Sequence, residues 1–257
     1  MNGKVALITG GATGIGKKTA EALAASGNHI AVTYRTSEQK AKELVTELEG
    51  KFGIRAFAFQ SDSADESNCN DLIECVKEHM GTIDILIHNA GPYIHERKSM
   101  ADYSSEEWNY LINGNLNGFF YLAKEAVLLM REKRWGRIIT LGFERSETAP
   151  GWVYRSAFAA AKAGLTSLTK TLAMEEAANG ITVNMVCPGD IYGGWKERSI
   201  EDAQKETDKD VPVGRPGTGE DLARMIAFLC DSRSDFITGS VIPVTGGKDV
   251  LGKIYQD

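Results

Sequence analysis

An α/β fold, a doubly wound parallel sheet with helices on both faces, is predicted for this chain by three observations. Short apolar runs alternate with longer segments of helical character over almost the whole length. The joins between them are short and marked by glycine. The first apolar run opens straight into the turn Thr9-Gly10-Gly11-Ala12-Thr13-Gly14-Ile15-Gly16, and that turn into a helical segment. Strands separated by helical crossovers lie parallel, and the crossovers cover both faces of the sheet.

Each element follows from local pattern. Residues 4–9 form an apolar run ended by glycines, the mark of a buried strand. Residues 16–26 are helical, with Thr19, Ala22, Leu23 and Ala25 among polar positions. Residues 29–34 read as the second strand. Residues 37–51 read as a helix with Glu38 paired to Lys42 one turn on. A third strand at 56–60 precedes a helix at 65–80, and a fourth strand spans 83–88. One or two longer helices cover 106–131, and a fifth strand 136–141. An Ala-rich helix covers 155–179 and stops at Gly180, as helices commonly do at glycine. A sixth strand at 181–186, a helix at 219–230 and a last strand at 241–244 complete the pattern. No linker, repeat or low-complexity tract interrupts it, so the expectation is one domain over 1–257. Residues 192–211, polar and of mixed charge, are the expected irregular insertion. They read either as a solvated surface pair of helices or as a lid over a pocket.

Composition narrows the function. The chain has 257 residues, 42% of them apolar and 25% charged, with a net charge of −6. That balance disfavours nucleic acid or an anionic membrane as a general partner, while allowing a small anion in a local cationic pocket. Cys69, Cys75, Cys187 and Cys230 make no CxxC pair, and no His/Cys cluster has zinc spacing, so free thiols and no metal are expected. No stretch approaches the roughly 20 apolar residues of a membrane span. The start, MNGKVALITGG, lacks a basic region followed by a long apolar stretch and a cleavage site. A cytoplasmic location is the expectation.

The glycine turn points to a nucleotide. It stands between a strand and a helix, where Gly10 permits the sharp bend and Gly14 lets the backbone approach a pyrophosphate. Gly16 permits close helix–strand packing. The helix that follows offers free N–H groups and a positive dipole end to phosphate. After the second strand the segment Thr33-Tyr34-Arg35-Thr36-Ser37 has no carboxylate to accept from ribose hydroxyls. Arg35 suits a 2′-phosphate instead, with Thr36 and Ser37 as further donors. NADP is therefore expected over NAD.

The spacing TGxxxGxG resembles the short-chain dehydrogenase/reductase family, a Rossmann-type fold, and the resemblance runs from Lys4 to Gly247. His88-Asn89-Ala90-Gly91 is similar to the family's NNAG, with His88 in place of the first Asn. Asn113-Gly114-Asn115-Leu116, Pro188-Gly189, Gly214-Arg215-Pro216 and Val244-Thr245-Gly246-Gly247 match further landmarks. The chain looks most like the 3-oxoacyl-(acyl carrier protein) reductase type. The resemblance implies cofactor contacts from Gly10, Thr13, Gly14, Ile15 and Gly16, then from Arg35 and Thr36. Further contacts are implied from Asp62 and Ser63, from Asn89, Ala90 and Gly91, from Lys162, and from Pro188, Gly189 and Ile191. It also implies a small-molecule substrate such as an acyl thioester, and a homotetramer built on the 106–131 and 155–179 helices.

One position breaks the pattern. In the resembling family a tyrosine donates the proton, a lysine one turn later lowers its pKa and holds the nicotinamide ribose, a serine polarises the carbonyl, and an asparagine supports the lysine. Asn115 and Lys162 match the asparagine and lysine. The tyrosine position holds Phe158, on the same helix face as Lys162, and a phenyl ring donates no proton. Phe143 falls where the serine is expected. Tyr154 and Ser146 are the candidate replacement hydroxyls. Tyr154 lies eight residues before Lys162, about 12 Å along a helix, so it reaches the site only from a preceding turn. Glu144 and Tyr192 are other polar candidates, and His88 and His95 flank the expected nicotinamide side. Tyr93, Trp152, Tyr192 and Trp195 are candidates to line an apolar substrate pocket. Three readings stand: a rewired NADP-dependent reductase, an NADP-binding or assembly homologue with impaired chemistry, and an enzyme whose substrate supplies the proton relay.

Overall fold

The computed structural model describes residues 3–249 and residue 251; the ends of the expected 1–257 domain lie outside them. Seven strands form one parallel sheet: β1 (Val5–Ile8), β2 (His29–Tyr34), β3 (Ala56–Gln60), β4 (Ile85–His88), β5 (Gly136–Leu141), β6 (Ile181–Pro188) and β7 (Val241–Val244). Their order is β3-β2-β1-β4-β5-β6-β7. The crossovers carry α1 (Gly14–Ala25), α2 (Glu38–Phe52), α3 (Glu66–Met80), α4 (Ser105–Ile112), α5 (Gly118–Lys133), α6 (Ser156–Glu176), α7 (Ile200–Ala203) and α8 (Gly219–Cys230).

Alternation along the strands builds two cores. Leu7, Leu86 and Ile138 face α3, α5 and α6. Their neighbours Ile8, Ile87 and Ile139 face α1, α2 and α8. Every residue of β1, β4 and β5 is buried, as in parallel strands covered on both faces. Burying each such Leu or Ile contributes about 1.5–3 kcal/mol. Chain order reverses between β1 and β4, so a crevice opens there at the carboxyl ends of the strands, where open α/β sheets hold ligands.

The expected bounds of β2, β3, β5, α8 and β7 are those observed. Elsewhere tertiary contacts move them. Helix α1 begins at Gly14, inside the glycine turn. Strand β6 runs on to Pro188, because Cys187 and Pro188 pair with Pro243 and Val244 of β7. The 106–131 region is split by a π-helical turn at Asn113–Asn117. The Pro92 ring and the Ser63 backbone crowd this region from two sides. A Cβ at Gly114 would lie 2.3 Å from Pro92 Cδ, and one at Gly118 2.1 Å from the Ser63 carbonyl oxygen. Such bulges frequently sit at functional sites. Residues 192–211 contain a 3-10 turn, Gly193–Lys196, and the single helical turn α7.

Candidate active site

A cleft of about 670 Å³ lies over the carboxyl ends of the strands. Its floor at β1 is the glycine turn. Gly10 (φ 61°) and Gly14 (φ 60°) occupy the left-handed region that favours glycine. A Cβ at Gly16 would meet the Gly10 carbonyl oxygen at 2.3 Å, so α1 packs directly on the turn. The Gly10 amide donates to Thr33 Oγ1 at 2.9 Å. The Gly14 amide donates to Glu197 Oε1 at 2.8 Å, so a carboxylate already occupies one donor of this anion-binding helix end. Asn89 ties the two sides of the crevice together: its Nδ2 donates to the Thr9 and Gly10 carbonyls at 3.0 and 3.1 Å.

At one end of the cleft stand Arg35, Thr36, Asp62 and Ser63, with the Arg35 guanidinium 5.7 Å from the Tyr110 ring centre. Among the described residues Arg35 makes no ion pair, and no carboxylate lies in the 33–37 segment.

At the other end lies Lys162. It is 4% exposed, and its Nζ donates to the Leu141 carbonyl at 2.8 Å. Burial pushes its pKa down to about 8. Asn115 is delivered by the π-helical turn and held by its Nδ2, which donates to the Pro92 and Leu111 carbonyls at 2.9 and 3.0 Å. Asn115 Oδ1 is buried without a hydrogen-bond partner among the described residues. His88 is fully buried, and among the described residues no hydrogen bond of normal geometry reaches either ring nitrogen. Burial, reinforced by the charge of Lys162, pushes its pKa down to about 3 and outweighs the opposing pull of the Asn115 backbone. His88 is thus a neutral space-filler against Phe119.

The wall beside Lys162 is aromatic. Phe158 lies with its ring centre 5.6 Å from Lys162 Nζ. Trp152 packs on Phe158 at 6.0 Å and on the buried Phe143 at 5.1 Å. Tyr93 meets Phe158 edge-on at 5.0 Å, and His95 meets Tyr93 at 4.9 Å. The Tyr93 hydroxyl accepts from Arg155 Nε at 2.6 Å.

Most of the expected cofactor residues line this one cleft: those of the glycine turn apart from Gly16, then Arg35, Thr36, Asp62, Ser63, Asn89, Ala90, Gly91, Lys162 and Pro188. Gly189 and Ile191 instead line a smaller neighbouring hollow with Val244 and Arg215. The two candidate replacement hydroxyls are not in the cleft lining. Ser146 is 2% exposed, and its Oγ accepts from Thr166 Oγ1 at 2.9 Å and points to Met185 Sδ. The loop after β5 places it against Thr166, a full turn past Lys162 along α6, where it braces the loop against the helix. Tyr154 sits in a left-handed turn (φ 63°) before α6, its carbonyl accepting from Tyr103 Oη and Arg155 Nη1. Tyr192 and Trp195 line a separate surface hollow with Glu206–Asp210 residues, away from Phe158. Sequence reasoning passed over Arg155. The signal was available: a cation at the start of a long helix opposes the helix dipole, which marks a residue held there by something else.

A seven-stranded parallel sheet in this order, with a glycine-cradled crevice at its switch point, defines a Rossmann-like α/β protein. A family model described as enoyl-(acyl carrier protein) reductase matches residues 10–249. The chain is 49% identical over 249 residues to YtkK of Bacillus subtilis (strain 168), covering 96% of this chain and 97% of that one. It is 36% identical over 247 residues to the 3-oxoacyl-[acyl-carrier-protein] reductase FabG of Escherichia coli (strain K12), covering 96% and 98%. A solved structure of a Bacillus thuringiensis protein provisionally assigned as a 3-oxoacyl-reductase superposes with a TM-score of 0.90 at 46% identity, covering 97% and 99%. A blue fluorescent protein from a metagenomic library, solved in complex with NADPH, superposes with a TM-score of 0.82 at 34% identity, covering 96% and 98%. The chain belongs to the short-chain dehydrogenase/reductase family of oxidoreductases. Among the described residues no helix is long and apolar enough to cross a membrane.

Proposed function

We propose that this protein is an NADP-dependent reductase of a carbonyl or related group, working in the cytoplasm as one domain with residues 192–211 as its lid. The observation that carries the reading is Lys162: a buried ammonium that, with Asn115, lines a cleft whose other end holds the glycine turn and Arg35. The residues present fit a dinucleotide. The Gly14 turn leaves room where a side chain would block a pyrophosphate. Arg35, Thr36 and Ser37 suit a 2′-phosphate, and Asp62 and Ser63 flank an adenine position. When bound, the reduced dinucleotide supplies hydride. Lys162 would donate to ribose hydroxyls, and its burial at one end of the cleft supports the nicotinamide at that end. Phe158, backed by Trp152, excludes water from the acceptor and favours an apolar substrate. The FabG likeness supports an acyl thioester among substrates. Phe120 and Leu128 of α5 and Met174 of α6 are half or more exposed, which supports a homotetramer covering these helices.

The competing reading is an NADP-binding or assembly protein with impaired chemistry. It is favoured by Phe158 in the cleft and by the burial of Ser146 away from it. NADPH oxidation measured against β-keto thioesters, ketones, quinones and imines, with NADPH fluorescence titration alongside, separates the two. Turnover of a carbonyl supports the reductase; cofactor binding with no turnover across the panel supports the second reading.

A further inference from the structure

We propose that Tyr93 is the catalytic proton donor of this active site, and that Arg155 is its positioning residue. The proposal rests on the reductase reading above and adds the group that reading lacks. Three observations converge on it.

The first is location. Tyr93 lines the cleft and its ring stands against Phe158, the residue that also touches Lys162. The other cleft-lining tyrosines, Tyr34 and Tyr110, belong to the Arg35 end. The loop after β4 therefore brings a phenol to the ring that replaces the family's tyrosine.

The second is the direction of the hydrogen bond. Arg155 Nε donates to the Tyr93 oxygen at 2.6 Å. A guanidinium has no acceptor, so the phenol's own proton cannot return to it. Among the described residues no acceptor takes that proton. The O–H of Tyr93 is left to donate to a ligand or to water.

The third is the cost of holding Arg155 in place. It is 8% exposed at the start of α6, where the helix dipole opposes a cation. Among the described residues it has no carboxylate partner. Its remaining donors go to the carbonyls of Glu96, Tyr154 and His95. These carbonyls fix the guanidinium plane and aim Nε at one oxygen. The adjoining Tyr154 is held in left-handed backbone that a non-glycine residue rarely adopts.

The chemistry balances with a reduced nicotinamide dinucleotide as reductant. Hydride reaches the carbonyl carbon, the C–O π pair moves onto oxygen, and that oxygen takes the proton from Tyr93 Oη. The O–H bond of Tyr93 breaks, the phenolate is stabilised by the Arg155 N–H, and water returns the proton. A charge-assisted hydrogen bond to the phenolate does here what a neighbouring ammonium does for a tyrosine on α6.

The decisive variant is Tyr93→Phe, which keeps the ring contacts to Phe158 and His95. The probes are NADPH with 3-oxobutyryl-N-acetylcysteamine for turnover, and NADP⁺ with the same thioester for binding without hydride transfer. The variant is expected to lose about 10²-fold or more in turnover, with NADPH affinity unchanged. Calorimetry of the thioester onto the NADP⁺ complex is expected to show about tenfold weaker binding, the share of one hydrogen bond. Arg155→Lys keeps a donor and is expected to retain more turnover than Arg155→Met, with a displaced pH–rate profile in both. Tyr93→Phe with unchanged turnover and thioester affinity overturns the proposal while leaving the reductase reading intact. Wild-type protein that binds NADP⁺ but takes up no thioester overturns it also. Failure to bind either dinucleotide removes the reductase reading itself.

Discussion

Replacing His88 by asparagine should flatten the acid side of the stability curve. His88 is buried near the Lys162 charge, with no hydrogen bond of normal geometry to its ring among the described residues, so burial and that charge keep it neutral down to about pH 3. In the unfolded chain an imidazole titrates near 6.5. Between these values the unfolded state binds the extra proton, so stability falls as pH drops, by about 1.4 kcal/mol per unit. From about pH 7.5 to about pH 5 this removes about 2 kcal/mol from the wild type and none through position 88 in His88→Asn. The depressed pKa adds nothing above 6.5, so the two curves should run parallel there. Urea unfolding of both proteins across this range is the assay, and the difference in slope is the readout, whatever the offset between them. A second variant, His88→Leu, guards against a fold damaged by a new buried amide. Curves that stay parallel from neutral pH into acid for both variants would refute a neutral His88.

Other outcomes follow from the cleft. Arg35→Ala should weaken NADPH binding by about tenfold or more and NADH binding little, read by fluorescence titration; equal losses would remove the 2′-phosphate assignment. Glu197→Gln should tighten NADPH by about threefold to tenfold, because a carboxylate no longer competes for the Gly14 amide; an unchanged Kd would show that the contact does not compete with cofactor. Phe158→Tyr should raise reduction of simple ketones by about tenfold or more, by placing a phenol within reach of Lys162. No gain would mean that the aromatic wall, rather than the missing hydroxyl, limits the reaction. Gly16→Ala should abolish cofactor binding and lower stability, since its methyl would meet the Gly10 carbonyl oxygen; a stable, NADPH-binding variant would contradict the close packing of α1 on the turn.

What was legible in the sequence is what local pattern controls. Buried strands announce themselves as apolar runs between glycines, and β3, β5 and β7 fall on the expected residues. The glycine turn was legible from its place between a strand and a helix, whereas Asn115 and Lys162 were singled out only by the family resemblance, and the structure brings both to the lining of one cleft. The π-helical turn at Asn113–Asn117 was not, because Pro92 and Ser63 impose it from distant segments. Ser146 was a reasonable candidate by position, but the loop after β5 turns its hydroxyl inward to Thr166. Tyr93 was visible only as an aromatic near the expected pocket. Its pairing with Arg155 joins residues 62 positions apart, and only the folded chain brings them together.

Whether the cleft holds a dinucleotide is answered by calorimetric titration of the purified protein with NADPH and with NADH. One saturable site per chain is expected, micromolar for NADPH and about tenfold or more weaker for NADH, with Lys162→Met weakening both. Folded protein that shows no heat of binding with either dinucleotide at roughly millimolar concentration would contradict it.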